Sequence, residues 1–276
     1  MRALLTGSTG FVGQNLTRHL RQQGWNVESV GRQDTQADLD SKMGQFKPDV
    51  VIHLATLFIA EHKPTDVPSL IQSNIVFGTQ VADAMVRHGV LNLINTGTLW
   101  QYYEGDRNTP SSLYSATKSA FEDILRFYSS SYGLNVVNLM LSDTYGPKDP
   151  RGKLLPKLIS MAGTSESLQL SPGEQTIEWT YIDDIVRGFE IAAQRLMGQQ
   201  ETRKFVHYTL TSGEAVSLKD TVKICESVLG KRIRVEFGAK PYRKREIMTP
   251  SKLDPVLPGW SAKFSLRQGI EACSSV

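Results

Sequence analysis

The sequence predicts an α/β fold, in which a doubly wound parallel sheet carries a smaller, interleaved C-terminal region. Short apolar runs alternate with longer segments of helical periodicity, as expected when helices cover both faces of a sheet. A glycine-rich turn joins the first apolar run to the first helical segment. The 276 residues, of which 40% are hydrophobic and 21% charged, are also sufficient to bury a sizeable core.

Five apolar runs in the N-terminal half are predicted to be strands, over 3–5, 27–30, 49–55, 91–95 and 135–141. Three segments between them are predicted to be helices, over 11–23, 73–88 and 115–132. In the first helix Val12, Leu16 and Leu20 recur at helical spacing, and Gly24 follows as a stop signal. Strands that alternate with helices in this way predict a parallel sheet.

The pattern loosens after Pro147, where prolines and glycines interrupt residues 148–178. Three further elements are expected, namely a helix over 181–194, a strand over 205–210 and a helix over 217–229. Ser217 is a plausible N-cap of the last helix, and Gly230 lies just past its end. The tail from Arg232 is predicted to be irregular.

Charge and cysteine content argue against several classes of function. There are 31 basic and 28 acidic side chains, so the net charge of +3 does not require a nucleic-acid partner. Cys225 and Cys273 lie far apart, and no cluster with metal-ligand spacing accompanies them, so we predict unpaired thiols and no metal site. Neither a signal peptide nor a membrane-spanning apolar run is present, and we expect a soluble cytoplasmic protein with no membrane partner.

Residues 7–13 form a GxxGxxG turn between the first strand and the first helix. One glycine allows the tight turn, another lets a pyrophosphate approach backbone N–H groups, and the last allows close packing of helix and strand. The turn therefore predicts a dinucleotide cofactor. The residues expected to contact it are Gly7, Thr9, Gly10, Phe11, Val12 and Gly13.

The end of the second strand bears on the choice of cofactor. Many NAD-dependent enzymes place an acidic residue at that point, whereas this sequence has Arg32. A guanidinium suits a 2′-phosphate, so NADP(H) is favoured, although Asp34 could reach a ribose and NAD(H) stays possible. Asp38 and Leu39, in the next segment, are candidates to flank the adenine.

Tyr114 and Lys118 are four residues apart, so they share one face of the predicted helix. The ammonium of Lys118 would lower the pKa of the Tyr114 phenol and could hold the nicotinamide ribose. Tyr114 could then exchange a proton with a carbonyl or carbinol oxygen while a hydride moves. Thr98, at the end of the preceding strand, is the candidate hydroxyl to hold that oxygen.

These motifs resemble the extended short-chain dehydrogenase/reductase family, also called the NAD-dependent epimerase/dehydratase family, over nearly the whole chain. Segments 53–56, 95–103, 143–147 and 181–184 look like its HLAA, SSxxVYG, NVYGP and YVDD segments. The resemblance implies a Rossmann dinucleotide-binding domain and a substrate-binding region; we assign 1–147 with 180–211 to the first, and 148–179 with 212–276 to the second.

The same resemblance implies roles for individual side chains. It adds cofactor contacts at Leu54, Ala55, Thr56 and Thr96, and it places Thr98, Tyr114 and Lys118 at the catalytic positions. The substrate contacts that it implies are Thr98, Trp100, Tyr114 and Asp143. A nucleotide-diphosphate sugar is the implied substrate, and a homodimer is the expected assembly.

Departures from the family pattern argue against two of the family's reactions, dehydration and 4-epimerisation. Leu99 and Trp100 follow Thr98 where family dehydratases carry an acid pair, and Trp100 would hinder the ring rotation of a 4-epimerase. We therefore expect NADPH-dependent reduction of the C4 ketone of a 4-keto-6-deoxy or 3,6-dideoxy hexose, in deoxysugar synthesis for a surface polysaccharide such as O-antigen. The segments around Trp100 and Tyr114 are similar to the CDP-abequose and CDP-paratose synthase group. A 4-epimerase with retained NAD and a non-catalytic dinucleotide-binding sensor stay open as alternatives.

One basic position of the family is missing, because Ile177 stands where relatives often have arginine. The stretch 240–245 is the candidate replacement, since it looks like the tail segment whose arginine holds the phosphates in relatives. Arg243 is our first choice and Arg245 the second, because a guanidinium pairs well with phosphate oxygens. The nucleotide could be CDP, dTDP or GDP.

Overall fold

The computed structural model describes residues 1–31, 33–201 and 204–275. The strands, in chain order, are β1 (Arg2–Thr6), β2 (Asn26–Val30), β3 (Val50–His53), β4 (Asn92–Thr98), β5 (Asn135–Leu141), β6 (Asp143–Tyr145), β7 (Ser167–Leu170), β8 (Thr176–Tyr181), β9 (Phe205–Leu210), β10 (Ala215–Ser217) and β11 (Arg234–Phe237). The helices are α1 (Phe11–Gln22), α2 (Gln36–Phe46), α3 (Val67–Ile71), α4 (Phe77–Arg87), α5 (Leu113–Tyr132), α6 (Leu154–Met161), α7 (Ile182–Met197), α8 (Leu218–Leu229) and α9 (Leu266–Ser274).

The central sheet has six parallel strands in the order β2-β1-β3-β4-β5-β9. Successive residues of β1 point to opposite faces, so Leu4 belongs to the core under α2, α4 and α5, whereas Leu5 belongs to the core under α1 and α7. Both side chains are fully buried. The predicted doubly wound α/β fold is therefore confirmed.

Two small sheets lie outside the central one. The first has the order β10-β8-β6, and the second pairs β7 with β11 in parallel. Strand β9 closes the edge of the central sheet, whereas β6, inside the predicted 1–147 domain, pairs with β8. The β5–β9 pairing lies within the first predicted region, whereas the β6–β8 pairing joins the first region to the second. The division of the chain into these two regions stays a prediction.

The loosely patterned segments contain more regular structure than the sequence predicts. The tail from Arg232 carries β11 and α9, so the prediction of an irregular tail is wrong. Both elements are short. Helix α9 begins at a capping box formed by Ser265 and Gln268, but it is only nine residues long, so its helical periodicity is weak in the sequence. The predicted helix over 73–88 also starts earlier, because α3 continues through a π-helical turn, Gln72–Val76, into α4.

Two properties of the described residues bear on membrane and metal partners. None of the helices in these ranges is both long and apolar enough to cross a membrane. Across the same residues, no group of three or more His, Cys, Asp or Glu side chains is arranged to hold a metal ion.

Candidate active site

The three glycine positions of the first turn differ in how closely other protein atoms approach them. Gly7 has φ +70°, and a Cβ there would lie 2.7 Å from the backbone nitrogen of Ala55. A Cβ on Gly13 would lie 2.1 Å from the carbonyl oxygen of Gly7. At Gly10 the nearest protein atom would be 3.4 Å away. The protein's own packing thus requires the first and third glycines, while the middle one leaves its side of the turn open.

Helix α1 begins directly after Gly10, and no side chain caps it. The first N–H groups of a helix lack partners within the helix and attract anions. An open glycine surface beside these N–H groups fits the pyrophosphate of a dinucleotide. Thr9, Phe11 and Val12 lie at this point, as the sequence predicts, and their contacts with a cofactor stay predictions.

The adenosine end of the site contains paired charges. Arg32 lies outside the described residues. Asp34 accepts a hydrogen bond from the Gly31 N–H at 2.6 Å and one from the Lys42 ammonium at 2.8 Å. These bonds hold the pKa of the Asp34 carboxyl below its usual value. The end of β2 therefore presents both a carboxylate, which suits a ribose diol, and an ammonium, which suits a phosphate.

The side chains of Asp38 and Leu39, the candidates to flank the adenine, make different contacts. Asp38 accepts from the Thr35 N–H at 2.8 Å and caps α2 together with the Thr35 hydroxyl. Leu39 is 3% exposed and packs in the core, so any contact with the cofactor would come from its backbone.

The chain after β3 is fixed to Thr6. The Thr6 hydroxyl oxygen accepts from the N–H groups of Leu54 at 3.2 Å and Ala55 at 3.1 Å, and it lies 2.9 Å from Nδ1 of His53. Burial lowers the pKa of His53 to about 3, so the ring is neutral and accepts the single Thr6 proton at Nδ1. Thr96 adds a 2.9 Å hydrogen bond to the His53 carbonyl. The predicted cofactor residues at the ends of β3 and β4 are thereby joined.

Tyr114 and Lys118 lie in the first two turns of α5, which the Ser112–Ser115 capping box initiates. They are 8% and 3% exposed. Burial raises the pKa of Tyr114 to about 12, although the Thr56 hydroxyl and the charge of Arg151 oppose that rise. The predicted lowering by Lys118 is not what the structure shows, because burial of the phenol raises its pKa and the groups that oppose this rise are Thr56 and Arg151. Burial also lowers the pKa of the Lys118 ammonium to about 8.

Thr98 ends β4, where the chain turns. Its hydroxyl oxygen accepts from the Trp100 N–H at 3.3 Å, and its own N–H donates to the side chain of Gln101 at 3.0 Å. Trp100 and Tyr114 both pack edge-on against Phe58, with ring centroids 5.5 and 5.0 Å away. Phe58 therefore links the turn after Thr98 to the Tyr114 helix.

A cavity of about 260 Å³ lies beside this aromatic group. Of the predicted substrate residues, Trp100, Asp143 and Arg243 line it. The Arg243 guanidinium lies 4.4 Å over the Trp100 ring. Arg245 is directed elsewhere, since its guanidinium donates to the Pro110 carbonyl at 2.8 Å. The structure thus brings the first-choice arginine to the cavity and separates the second from it.

The cavity wall also includes residues that sequence reasoning missed. Lys153 lies 4.3 Å over the Phe58 ring and 3.4 Å from an Asp143 oxygen. Glu178 and Gln175 line the cavity, are 3% and 6% exposed, and each has one buried side-chain oxygen without a hydrogen-bond partner. Phe58 lies two residues after the 53–56 segment, so that segment could have pointed to it, whereas Lys153 and Glu178 lie among residues without clear periodicity.

Comparisons with known proteins identify the family of the chain. Residues 3–206 match the model of the NAD dependent epimerase/dehydratase family. A CDP-abequose synthase of Yersinia pseudotuberculosis is 27% identical over 266 residues, covering 91% of this chain and 92% of that protein. A UDP-glucose 4-epimerase of Mycolicibacterium smegmatis is 26% identical, covering 98% of this chain and 96% of that protein.

A similar fold occurs in the solved structure of MoeE5 in complex with UDP-glucuronic acid and NAD. Its TM-score is 0.88 at 23% identity, and the match covers 100% of this chain and 98% of that one.

Proposed function

The chain belongs to the NAD-dependent epimerase/dehydratase family, and we propose that it reduces the C4 ketone of a nucleotide-linked 4-keto-6-deoxy or 3,6-dideoxy hexose with NADPH. Family membership makes it an enzyme of the nucleotide-sugar-modifying short-chain dehydrogenase/reductases. The CDP-abequose synthase of Y. pseudotuberculosis, similar over nearly the full length of both chains, supports a role in deoxysugar synthesis. A surface polysaccharide such as O-antigen is the proposed destination of the sugar.

The proposal is supported by the buried Tyr114–Lys118 pair, which Phe58 connects to the cavity wall, and by the lack of an acidic residue at the two positions after Thr98. With a pKa raised to about 12, Tyr114 is protonated at neutral pH, as a proton donor must be. Leu99 and Trp100, which follow Thr98, can neither donate nor remove the protons that an elimination of water needs. Simple ketone reduction is the reaction that these side chains suit.

In the mechanism, bound NADPH supplies the hydride for the carbonyl carbon. Tyr114 donates its phenolic proton to the carbonyl oxygen, so that ketone, hydride and proton give one alcohol. The Thr98 hydroxyl orients the same oxygen by a hydrogen bond. The Lys118 ammonium stabilises the tyrosinate that forms and holds the nicotinamide ribose.

We propose a nicotinamide dinucleotide as cofactor, with NADP(H) favoured. The open Gly10 surface at the start of α1 supports dinucleotide binding. Arg32 would hold the 2′-phosphate, and Lys42, near the same strand end, would add a second positive charge. Asp34 favours the diol of NAD(H) instead, so NAD(H) is the alternative.

The substrate's diphosphate is proposed to bind Arg243. Arg243 lines the cavity, and its guanidinium can donate two parallel hydrogen bonds to phosphate oxygens. Lys153, on the Phe58 ring, would supply a second positive charge. CDP is the nucleotide that the similar CDP-abequose synthases support, with dTDP and GDP as alternatives, and a homodimer is the proposed assembly.

A 4-epimerase that retains NAD is the second candidate, because a UDP-glucose 4-epimerase of M. smegmatis is 26% identical over nearly the full chain. Epimerisation requires the ketone intermediate to rotate so that hydride returns to its other face. Trp100 and Phe58 both line the cavity, and the bulk of their side chains disfavours that rotation.

The two candidates are separated by measuring NADPH oxidation with CDP-, dTDP- and GDP-linked 4-keto-6-deoxyhexoses, followed by NMR of the product. We expect one equivalent of NADPH consumed for each 4-hydroxy product. Tyr114→Phe should reduce turnover about 10²- to 10⁴-fold while NADPH binding stays close to that of the wild type. Turnover of saturated sugar nucleotides by protein that carries its own NAD, without added NADPH, would instead identify the epimerase.

A further inference from the structure

A buried carboxylate lies one helical turn beyond Lys118 and is not used by the mechanism. The Glu122 side chain is 9% exposed. It accepts hydrogen bonds from Gln101 at 2.9 Å and Arg126 at 3.1 Å, and it also pairs with His207. An ionised carboxylate is costly to bury unless such partners compensate it. The number of partners indicates that Glu122 is held in its charged form.

Gln101 connects this carboxylate to the turn that carries Thr98. Its amide oxygen accepts from the Thr98 N–H at 3.0 Å, while its amide nitrogen donates to Glu122. The two partners, one a donor and one an acceptor, fix the orientation of the amide. Gln101 is 1% exposed, so water does not compete for these bonds. The backbone position of Thr98 therefore depends on Glu122 through one side chain.

A second connection reaches the same turn from the C-terminal tail. His207, on β9, faces Glu122 with one ring nitrogen and lies 3.9 Å from Asp254 with the other. Asp254 accepts from the Tyr102 hydroxyl at 2.7 Å and pairs with Arg107. Since Tyr102 follows Gln101 in the chain, the two carboxylates hold adjacent residues and close a ring of polar contacts.

Glu122 also acts on Lys118 through space. Burial favours the neutral amine of Lys118, and the negative charge of Glu122 opposes that effect. The other titratable group that interacts with Lys118, His53 on β3, is neutral at physiological pH. Glu122 itself is faced by His207 from β9 and by Arg126 from α5, with Arg107 and Tyr102 further away. Glu122 lies one turn from Lys118 on α5, and its negative charge favours the Lys118 ammonium, although burial still lowers the pKa of Lys118.

We propose that Glu122 is a positioning residue that holds the Thr98 turn through Gln101 and supplies the counter-charge of Lys118. The inference rests on the proposed ketone reduction, in which Thr98 orients the carbonyl and Lys118 acts as a cation. Glu122 does not line the cavity and would act through Gln101 and Lys118. It joins the two catalytic elements, β4 and α5, so that the hydroxyl and the ammonium keep a fixed relationship.

The test compares Glu122→Gln and Gln101→Met with wild type in pH profiles of kcat. Glu122→Gln removes the anion, so the basic limb of the profile should move about one unit to lower pH, with kcat about tenfold lower. Gln101→Met keeps the Glu122 charge but removes both the acceptor of the Thr98 N–H and one donor to Glu122, so kcat should fall while the limb stays in place. Asp123→Asn is the matched control, because Asp123 is 83% exposed on the same helix, and its profile should equal that of the wild type.

Thermal denaturation and the pH dependence of NADPH binding are measured on the same proteins. A Glu122→Gln protein that is folded and has an unmoved basic limb overturns the proposal, as does a limb shift of equal size in Gln101→Met. Binding of NADPH reports Lys118 ionisation without any sugar, so it separates this outcome from a failure of the proposed ketone reduction. In the NADPH-binding measurement, too, the Glu122→Gln substitution must lower the pH at which affinity for NADPH is lost.

Discussion

Arg243 forms a two-point ion pair with Glu246, three residues further along the chain, at 2.9 Å from Nε and 2.6 Å from Nη2. The pair lies at the cavity wall, with the guanidinium over Trp100. Glu246 therefore occupies the face of the arginine that a diphosphate would need. Substrate binding should exchange one anionic partner of Arg243 for another, and the released Glu246 carboxylate then needs a new partner or solvent.

Replacement of Arg243 should impair binding more than chemistry. We expect Arg243→Ala to raise KM about 10- to 100-fold with a much smaller change in kcat, because a charged hydrogen bond to phosphate is lost. Steady-state kinetics with the best sugar nucleotide checks this. Arg245→Ala is the control, since Arg245 donates to the Pro110 carbonyl instead of lining the cavity, and its KM should change little. Equal effects of both variants would contradict the assignment.

The glycine turn offers a matched pair of substitutions. Gly13→Ala should destabilise the fold by about 1–3 kcal/mol, because its Cβ would lie 2.1 Å from the Gly7 carbonyl oxygen. Gly10→Ala should leave the melting temperature nearly unchanged, yet weaken NADPH binding about tenfold or more, since the methyl group covers the open surface. Calorimetry and cofactor titration measure the two effects. A Gly10→Ala protein with normal cofactor affinity would show that no ligand approaches there.

The pKa of Lys118 predicts how turnover depends on pH. Its value of about 8 lies below that of an exposed lysine, because burial penalises the ammonium. If the ammonium is the working form, kcat is maximal below this pKa and falls as the pH rises through about 8. Saturating pH profiles of kcat test the sign. A kcat that rises through this range would mean that the neutral amine is the active form.

Cofactor preference can be tested at the end of β2. Arg32→Ala should weaken NADPH binding far more than NADH binding, because only NADPH carries the 2′-phosphate. Lys42→Met should also weaken NADPH binding more than NADH binding, but by a smaller factor, since Lys42 is already paired with Asp34. Dissociation constants for both cofactors give the comparison. A loss of the same size for NADH would show that neither cation interacts with the 2′-phosphate.

The fold and the catalytic pair could be predicted because their signals are local. The apolar runs of β1 and β3, the turn over 7–13 and the Tyr114–Lys118 spacing each lie within a few consecutive residues. The regular elements after Arg232 could not, since β11 is only four residues long and pairs with a distant strand.

Much of the cavity wall escaped prediction for a related reason. Phe58 and Lys153 come together only in the folded chain, and the partner of Arg243 is set by the turn that contains Glu246. The pKa of Tyr114 was also predicted in the wrong direction. The sequence shows the nearby charge of Lys118 but does not show how completely the phenol is buried.

In the proposed reaction, the hydride of NADPH is transferred to C4 of the sugar and does not return to the cofactor. The most direct measurement uses NADPH with deuterium at the transferable position and follows the sugar product by NMR. We expect one deuterium on C4 of the sugar, a single C4 configuration and one equivalent of NADP⁺ for each product. A product without deuterium, formed as a mixture of C4 epimers with no net oxidation of NADPH, would contradict the proposed reaction.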